Sequence, residues 1–310
     1  MHKQAGSNAV WRMADGIELV LDRPRVMAIL NVTPDSFSDG GRLSTPIAAA
    51  EAAARAVVDG ADLLDIGAES TRPGAQRVAA GEQLARLIPS IRAIRERIGP
   101  SVPMTVDTTR AEVAAGALEA GATAINDVSA GTDDPQMLPL AARRRVGVVL
   151  MHRLRPPEGD SYSDRYAVPP DYGDVVAAVG RFLAARAKAA QEAGVEPAAI
   201  VLDPGLGFGK SVADNLALIA RTGDFVALGW PILSGISRKS FVARVAGLGP
   251  DTLPAERVEP SVALAVSHLH AGARIFRVHD VIQHVEALRV AWAAWTGRAS
   301  GDAARSAQAE

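Results

Sequence analysis

A chain of 310 residues with 48% hydrophobic content holds enough apolar material for one large core or two ordinary ones. Its formal charge of −2 leaves no electrostatic footprint for nucleic acid or an anionic membrane. With no cysteine, disulfides, thiolate metal sites and a cysteine nucleophile are excluded.

Met1 to Val10 lacks the apolar segment of a secretory signal, and no run reaches the roughly 18 apolar residues of a spanning helix. A cytoplasmic protein with no membrane partner is expected. Val10 to Leu21 alternates loosely around the turn pair Asp15-Gly16, which predicts a small two-stranded flap before the main fold. A repeating pattern then begins. Arg25 to Leu30 is strand-like, and Ile47 to Val58 is an alanine-rich helical run with Glu51 four residues before Arg55 and Gly60 as its stop. Asp62 to Ile66 reads as a second strand, and Glu82 to Ile98 as a helix with Leu84, Leu87, Ile88, Ile91 and Ile94 at helical spacing. Strands over 102–106, 123–125 and 146–150 alternate with helices over 110–120 and 134–144.

A proline-bearing insert from His152 to Pro170 interrupts the rhythm. Val175, Val179, Phe182 and Leu183 mark a long helix that stops at Gly194. Strand six covers 200–202, with a helix over 213–220; strand seven begins over 231–233, with a helix over 241–246. After the turn-rich 247–254 come a helix over 261–271, strand eight over 274–278, and a last helix lined by Val281, Val285, Leu288 and Trp292. Strands alternating with helices point to parallel pairing through right-handed crossovers, and the count of eight favours a closed (β/α)8 TIM barrel over an open doubly wound sheet. The expected division is an N-terminal extension and hairpin over 1–24, a single barrel over 25–296 and a disordered tail over 297–310.

In such a barrel the reactive face lies at the carboxyl ends of the strands. The residues that follow each apolar run are Asn31, Asp65 with Glu69, Asp107, Asn126 with Asp127, His152, Asp203, Ser237 to Lys239, and Arg277 with His279. Any one of them could serve as a helix cap. Polar residues at all eight strand ends instead suggest one crevice. Asp107, Asn126 and Asp203 offer acceptors and an amide suited to a flat heterocycle rich in N–H donors. Arg277 and His279 alternate on strand eight, share one side, and precede a helix start, as an anion site requires. Gly205-Leu206-Gly207-Phe208-Gly209-Lys210-Ser211 looks like the end of a P-loop, but Pro204 stands where a glycine is needed, and the glycine spacing also misses the dinucleotide fingerprint. No histidine motif for zinc exists, so a metal would be a hard, oxygen-bound ion such as Mg²⁺ working with phosphate oxygens.

The stretch Leu30-Asn31-Val32-Thr33-Pro34-Asp35-Ser36-Phe37-Ser38-Asp39-Gly40-Gly41 resembles the first signature of the dihydropteroate synthases, and Asp65-Ile66-Gly67-Ala68-Glu69-Ser70-Thr71-Arg72-Pro73-Gly74 resembles the second. Val106-Asp107-Thr108, Ile125-Asn126-Asp127, Leu202-Asp203-Pro204-Gly205, Ser237-Arg238-Lys239-Ser240 and Arg277-Val278-His279-Asp280 are similar to the later ones, in order. The resemblance implies a pterin-binding barrel that condenses 6-hydroxymethyl-7,8-dihydropterin diphosphate with 4-aminobenzoate, using Mg²⁺, in folate biosynthesis. By position it implies that Asp107, Asn126, Asp203 and Lys239 hold the pterin. Asn31, Arg277 and His279 would hold the diphosphate, with Thr71 beside it and Asn31 also on the metal. Thr71, Arg72, Pro73, Phe208 and Ser237 would frame the aminobenzoate.

Among these, Asp107, Lys239, Arg277 and His279 are the expected catalytic groups. Thr33, Pro34, Asp35, Ser36, Phe37 and Ser70 would belong to mobile loops, the first of them a lid. The resemblance also implies a homodimer and a sulfonamide target. The alternatives are a pterin-binding methyltransferase of the corrinoid-linked group and a non-catalytic pterin-binding homologue. Three positions depart from the usual pattern: Ala68 and Pro260, where glycines are common, and the segment Arg153-Leu154-Arg155-Pro156-Pro157 after His152.

Overall fold

The computed structural model describes residues 9–33, 43, 45–249 and 251–297. The expected lid residues Pro34, Asp35, Ser36 and Phe37, and the tail after Gly297, lie outside the described residues. Two short strands, β1 (Val10–Arg12) and β2 (Glu18–Val20), pair antiparallel across a turn in which Asp15 and Gly16 adopt left-handed backbone, φ 57° and 73°. Eight parallel strands follow: β3 (Arg25–Asn31), β4 (Leu63–Gly67), β5 (Met104–Asp107), β6 (Ala124–Asp127), β7 (Gly147–Met151), β8 (Ile200–Asp203), β9 (Leu233–Ser234) and β10 (Ile275–Val278). Their neighbours run β8-β7-β6-β5-β4-β3-β10-β9. The circle is completed by a parallel bridge between Leu202 and Ile232, where the Leu202 N–H donates to the Pro231 carbonyl at 2.9 Å. The barrel is therefore nearly closed, with its weakest seam beside the two-residue β9.

The strands alternate with ten helices among the described residues: α1 (Pro46–Val58), α2 (Ala80–Ile98), α3 (Ala111–Ala120), α4 (Met137–Arg144), α5 (Val175–Glu192), α6 (Val212–Ala220), α7 (Thr222–Val226), α8 (Ser240–Val245), α9 (Val258–Ala271) and α10 (Val281–Thr296). Local chemistry sets their starts. Thr45 accepts from the Ala48 N–H at 3.2 Å and Pro46 opens α1 with its fixed φ, while Ser211 and Asp214 form a reciprocal capping box on α6. Ala49, Ala50, Ala53 and Ala56 face inward on α1, small side chains that let the helix lie close to the sheet.

Three expectations shift. The helix expected over 134–144 begins at Met137, because Asp134 instead accepts from the Ala111 N–H (2.8 Å) and the Gln136 N–H (2.9 Å). The helix expected over 261–271 starts at Val258, since Pro260 falls in the first turn, where no N–H is needed. Helix α7 is additional; Gly223 in its first turn reads as a break in the sequence.

The hairpin is a plug rather than a flap. Trp11 is fully buried, its indole N–H donates to the Ala199 carbonyl at 3.0 Å, and it packs with Met27, Leu63, Ala124, Val149, Val201, Leu233 and Ile275 inside the amino-terminal end of the barrel. Gly147 makes room for it: a Cβ there would sit 2.7 Å from the indole nitrogen. Replacing a buried aromatic by alanine costs about 3–5 kcal/mol. Trp11→Ala is therefore expected to lower the melting temperature by roughly 10 °C; a melt matching the wild type would show that the hairpin does not close the barrel floor.

Candidate active site

Side chains along a strand alternate, so the residues that share the interior with the apolar floor recur every second position toward the carboxyl ends. This places Asn31, Asp65, Gly67, Thr105, Asp107, Asn126, Asp203 and Arg277 inside the mouth. Asn31, Gly67, Asp107 and Asn126 are Cα partners in one row across β3, β4, β5 and β6. Gly67 keeps that row open: a Cβ there would lie 3.3 Å from Asn31 Oδ1 and 3.5 Å from Asp107 Cβ.

One cation organises this side of the mouth. Arg277 donates through Nε to Asp65 Oδ2 at 2.5 Å and through Nη2 to Asp107 Oδ2 at 2.7 Å. Asp65 is itself held by Asn126 Nδ2 at 3.1 Å and by the Thr105 hydroxyl. Burial works against the Arg277 charge, but Asp65 and Asp107 outweigh it and carry its pKa above the ordinary value. Burial pushes the Asp107 carboxyl up to about 7 against the attraction of Arg277. Asp107 Oδ1 is buried and has no hydrogen-bond partner among the described residues, so it is a ready acceptor.

Asp203 and Lys239 face this triplet from β8 and the turn after β9. Asp203 Oδ1 accepts from the Gly205 N–H at 2.7 Å; burial raises this carboxyl's pKa while Lys239 opposes the rise. Burial lowers the Lys239 ammonium to about 7, with Asp203 acting the other way. Lys239 Nζ donates to the Leu206 carbonyl and lies 4.3 Å from the centre of the Phe208 ring. Gly235 again leaves space, since a Cβ there would lie 3.7 Å from both Asp203 Oδ2 and Lys239 Nζ.

His279 follows β10, and its Nδ1 is 3.2 Å from Ser237 Oγ, which also accepts the His279 backbone N–H at 3.2 Å. Burial, then the charges of Arg238, Arg277 and Arg72, hold the imidazole well below its usual pKa, so it is neutral. At the expected anion site the positive charge thus comes from arginine, and His279 contributes a neutral ring. Arg238 forks onto Asp280, Nε to Oδ2 at 2.9 Å and Nη2 to Oδ1 at 2.5 Å, which fixes the turn carrying Lys239 against the start of α10.

Ser70, Thr71, Arg72 and Pro73 lie on the loop after β4, where Ser70 Oγ accepts from the Arg72 N–H at 3.4 Å. The loop's far side is pinned to the insert after His152. Gly74 N–H donates to the Pro157 carbonyl at 2.7 Å, and Arg77 bridges Asp133 Oδ2 at 2.8 Å and Glu158 Oε1 at 3.0 Å. Arg153 closes the cluster on Asp133. The departure from the usual pattern therefore supplies a brace for the second loop.

Comparison with known proteins now decides the family. A model described as pterin binding enzyme matches residues 27–279. The dihydropteroate synthase of Synechocystis sp. is 42% identical over 274 residues, covering 88% of this chain and 91% of that enzyme. The chain belongs to the dihydropteroate synthase family. The Mycobacterium leprae dihydropteroate synthase is 44% identical over 274 residues, covering 86% of this chain and 93% of that protein. Among solved structures, Xanthomonas albilineans dihydropteroate synthase with 4-aminobenzoic acid superposes with a TM-score of 0.81 at 46% identity, covering 92% of this chain and 98% of that one. The Yersinia pestis dihydropteroate synthase with a sulfonamide drug superposes with a TM-score of 0.83 at 40% identity, covering 91% and 98%. This is a transferase family.

Two residues without an expected role in the site stand out in this family member. Asp65 holds both Arg277 and Asn126; its signal was its place two residues before Gly67 on the inward side of β4. Lys210 is fully buried among backbone carbonyls, in the loop whose sequence had resembled a phosphate cradle.

The shifted carboxyl gives a test. An Asp107 pKa of about 7 means the carboxylate, the form that accepts from an N–H-rich ligand edge, forms only as pH rises through that value. Affinity for a free hydroxymethyl pterin, titrated by fluorescence, should therefore rise as pH climbs through about 7. In Asp107→Asn that rise should vanish. An identical profile in the variant would assign the titration elsewhere.

Proposed function

We propose that this chain joins 6-hydroxymethyl-7,8-dihydropterin diphosphate to 4-aminobenzoate, giving 7,8-dihydropteroate and pyrophosphate. The observation that carries the reading is the convergence of Asp107, Asn126, Asp203, Lys239 and Arg277 in one barrel mouth of a chain 46% identical to a dihydropteroate synthase with 4-aminobenzoic acid bound. A related dihydropteroate synthase from Xanthomonas albilineans, 43% identical, is in complex with 7,8-dihydropteroate.

In this reading Asp107, Asn126 and Asp203 take the N–H edge of the pterin and Lys239 its carbonyl side. Their carboxylates favour positive charge on the ring as the carbon–oxygen bond to diphosphate breaks, the electron pair leaving on oxygen. Arg277 bears the departing negative charge, electrostatic stabilisation placed where charge develops. His279, neutral, donates to the diphosphate without adding charge. The arylamine nitrogen then bonds the methylene carbon and releases its proton. No strong base is required, because an aryl amine is already nucleophilic. Thr71, Arg72, Pro73, Phe208 and Ser237 frame that amine's ring, and sulfonamides would compete there. Ser70 and Thr33 belong to the proposed mobile loops, of which Pro34, Asp35, Ser36 and Phe37 lie outside the described residues.

Mg²⁺ is the proposed cofactor; held on the diphosphate, it would supply further positive charge against the leaving oxygens. Asn31 Oδ1, lining the gap above Gly67, suits a hard ion that keeps water and phosphate as its other ligands. Among the described residues no group of three or more histidines or acids could hold a metal, which fits an ion carried mainly by the substrate. No described helix is long and apolar enough to cross a membrane. Residues 1–24, 25–296 and 297–310 are the proposed extension, barrel and tail, in a cytoplasmic enzyme. Exposed Val290 and Trp295 on α10 support a homodimer through the last helices.

With both substrates and Mg²⁺ the purified protein should form dihydropteroate, detected chromatographically, and none should form without 4-aminobenzoate. Asp203→Ala should lose measurable pterin binding. Arg277→Ala should slow product formation by about 10²–10³ while weakening binding of the diphosphate-free pterin far less. Equal losses in the two Arg277→Ala measurements would remove its role on the leaving group.

A further inference from the structure

The glycine-rich loop after β8 is built inside out relative to a phosphate cradle. An anion-binding loop turns its N–H groups toward the ligand. Here the glycine N–H groups turn away, and each is satisfied elsewhere. Gly205 N–H donates to Asp203 Oδ1 at 2.7 Å, Gly207 N–H to Asn215 Oδ1 at 2.7 Å, and Gly209 N–H to Asp160 Oδ2 at 2.8 Å. The carbonyls turn inward, onto two lysines. Lys210 Nζ donates to the carbonyls of Gly205 (2.9 Å), Phe208 (2.8 Å) and His152 (3.2 Å), and Lys239 Nζ donates to the carbonyl of Leu206.

Only glycine tolerates this path. Gly205, Gly207 and Gly209 all have left-handed φ, 67°, 81° and 65°. A Cβ at Gly205 would meet the His152 carbonyl at 1.8 Å, and one at Gly209 would meet Leu154 Cβ at 2.2 Å. At Gly207 it would meet Lys239 Cδ at 2.8 Å, so the loop is closed tightly around the second lysine as well.

Lys210 is fully buried, and its hydrogen-bond partners include no carboxylate. Its fourth contact is His152 Nδ1 at 2.9 Å, an acceptor in the neutral ring that shares one of the three N–H groups with the more distant His152 carbonyl, and burial holds that ring neutral. Burial lowers this ammonium to about 7, so keeping it charged at this depth is costly, yet its contacts enforce a local geometry. What it enforces is the conformation of 205–208. The Leu206 carbonyl and the Phe208 ring, which together seat Lys239 Nζ, lie between the two carbonyls that Lys210 clamps.

We propose that Lys210 is a positioning residue for the transfer reaction: it clamps the Gly205 and Phe208 carbonyls so that the Phe208 ring and Leu206 carbonyl hold Lys239 Nζ in place in the barrel mouth. The inference rests on the reading of Phe208 and Lys239 as aminobenzoate and pterin contacts. Lys210 acts through them and touches neither substrate. His152 is its partner from β7, which gives the one histidine at a strand end without an assigned role a function as acceptor.

Steady-state kinetics of the wild type, Lys210→Met, Phe208→Ala and the double variant test this, with melting curves to establish folding. Lys210→Met is expected to raise the KM for 4-aminobenzoate by about tenfold, the scale of one charged hydrogen bond. In the Phe208→Ala background the same change should add less than about threefold, because both act through one ring. An unchanged KM, or the full factor on top of Phe208→Ala, overturns the proposal. If Lys210→Met does not fold, His152→Ala and His152→Asn decide it. The alanine should raise the same KM several-fold and the asparagine, whose Oδ1 can replace Nδ1, should restore it; equal KM values in wild type and His152→Ala overturn the proposal. A wild type without activity would instead overturn the reaction assignment.

Discussion

A buried guanidinium between two buried carboxylates is the constraint on which this site depends. Arg277 reaches Asp65 and Asp107 from β10, across β3, and thereby ties the second and third barrel strands to the last at the level of the mouth. Removing one member of such a set leaves an uncompensated charge and typically costs about 3–5 kcal/mol. The interior therefore divides sharply. Below this level the barrel is apolar and plugged by Trp11; at the mouth most inward side chains are polar or absent. The plug lets the floor stay dry, and a dry floor strengthens every charge interaction above it.

Opposite this triplet, the Asp203–Lys239 pair is organised by backbone instead of by a second acid. The glycine loop wraps two ammonium groups in carbonyls, and its N–H groups are spent on Asp203, Asn215 and Asp160. The mouth thus presents carboxylates on both sides, with one cation beside each. In the proposed reaction a flat, N–H-rich ring entering between them would meet acceptors at its edge, and the departing anion would meet Arg277. Preorganised charge of this kind needs no rearrangement when the bond breaks, which is where its catalytic value lies.

Much of this was legible in the sequence, for physical reasons that can be named. Short apolar runs ending in Asn31, Asp107, Asn126, Asp203 and Arg277 located the strands and their mouth ends together, because parallel strands buried on both faces must become polar where they leave the core. The motifs that follow them carried the family. Asp65 was noticed as a strand end, yet its role needed the register: only the pairing of β4 with β5, and the reach of Arg277, show it to be the residue that holds the cation. Lys210 was hidden for the opposite reason. A glycine-rich stretch ending in lysine signals phosphate, and nothing local says that the carbonyls, rather than the amides, face inward. The hairpin's role as a floor, the brace between Arg77 and the insert after His152, and the additional α7 all depend on contacts between segments far apart in the chain.

In the proposed reaction Asp65 fixes Arg277 for the departing diphosphate, and single-turnover release of pyrophosphate by Asp65→Asn is the decisive measurement. The variant keeps the shape of the side chain, so the pterin should still bind, while the rate of release at saturating substrates should fall by about 10²-fold or more, the usual effect of losing one preorganised charge contact. Release at the wild-type rate would contradict the claim that Asp65 holds the cation for this step.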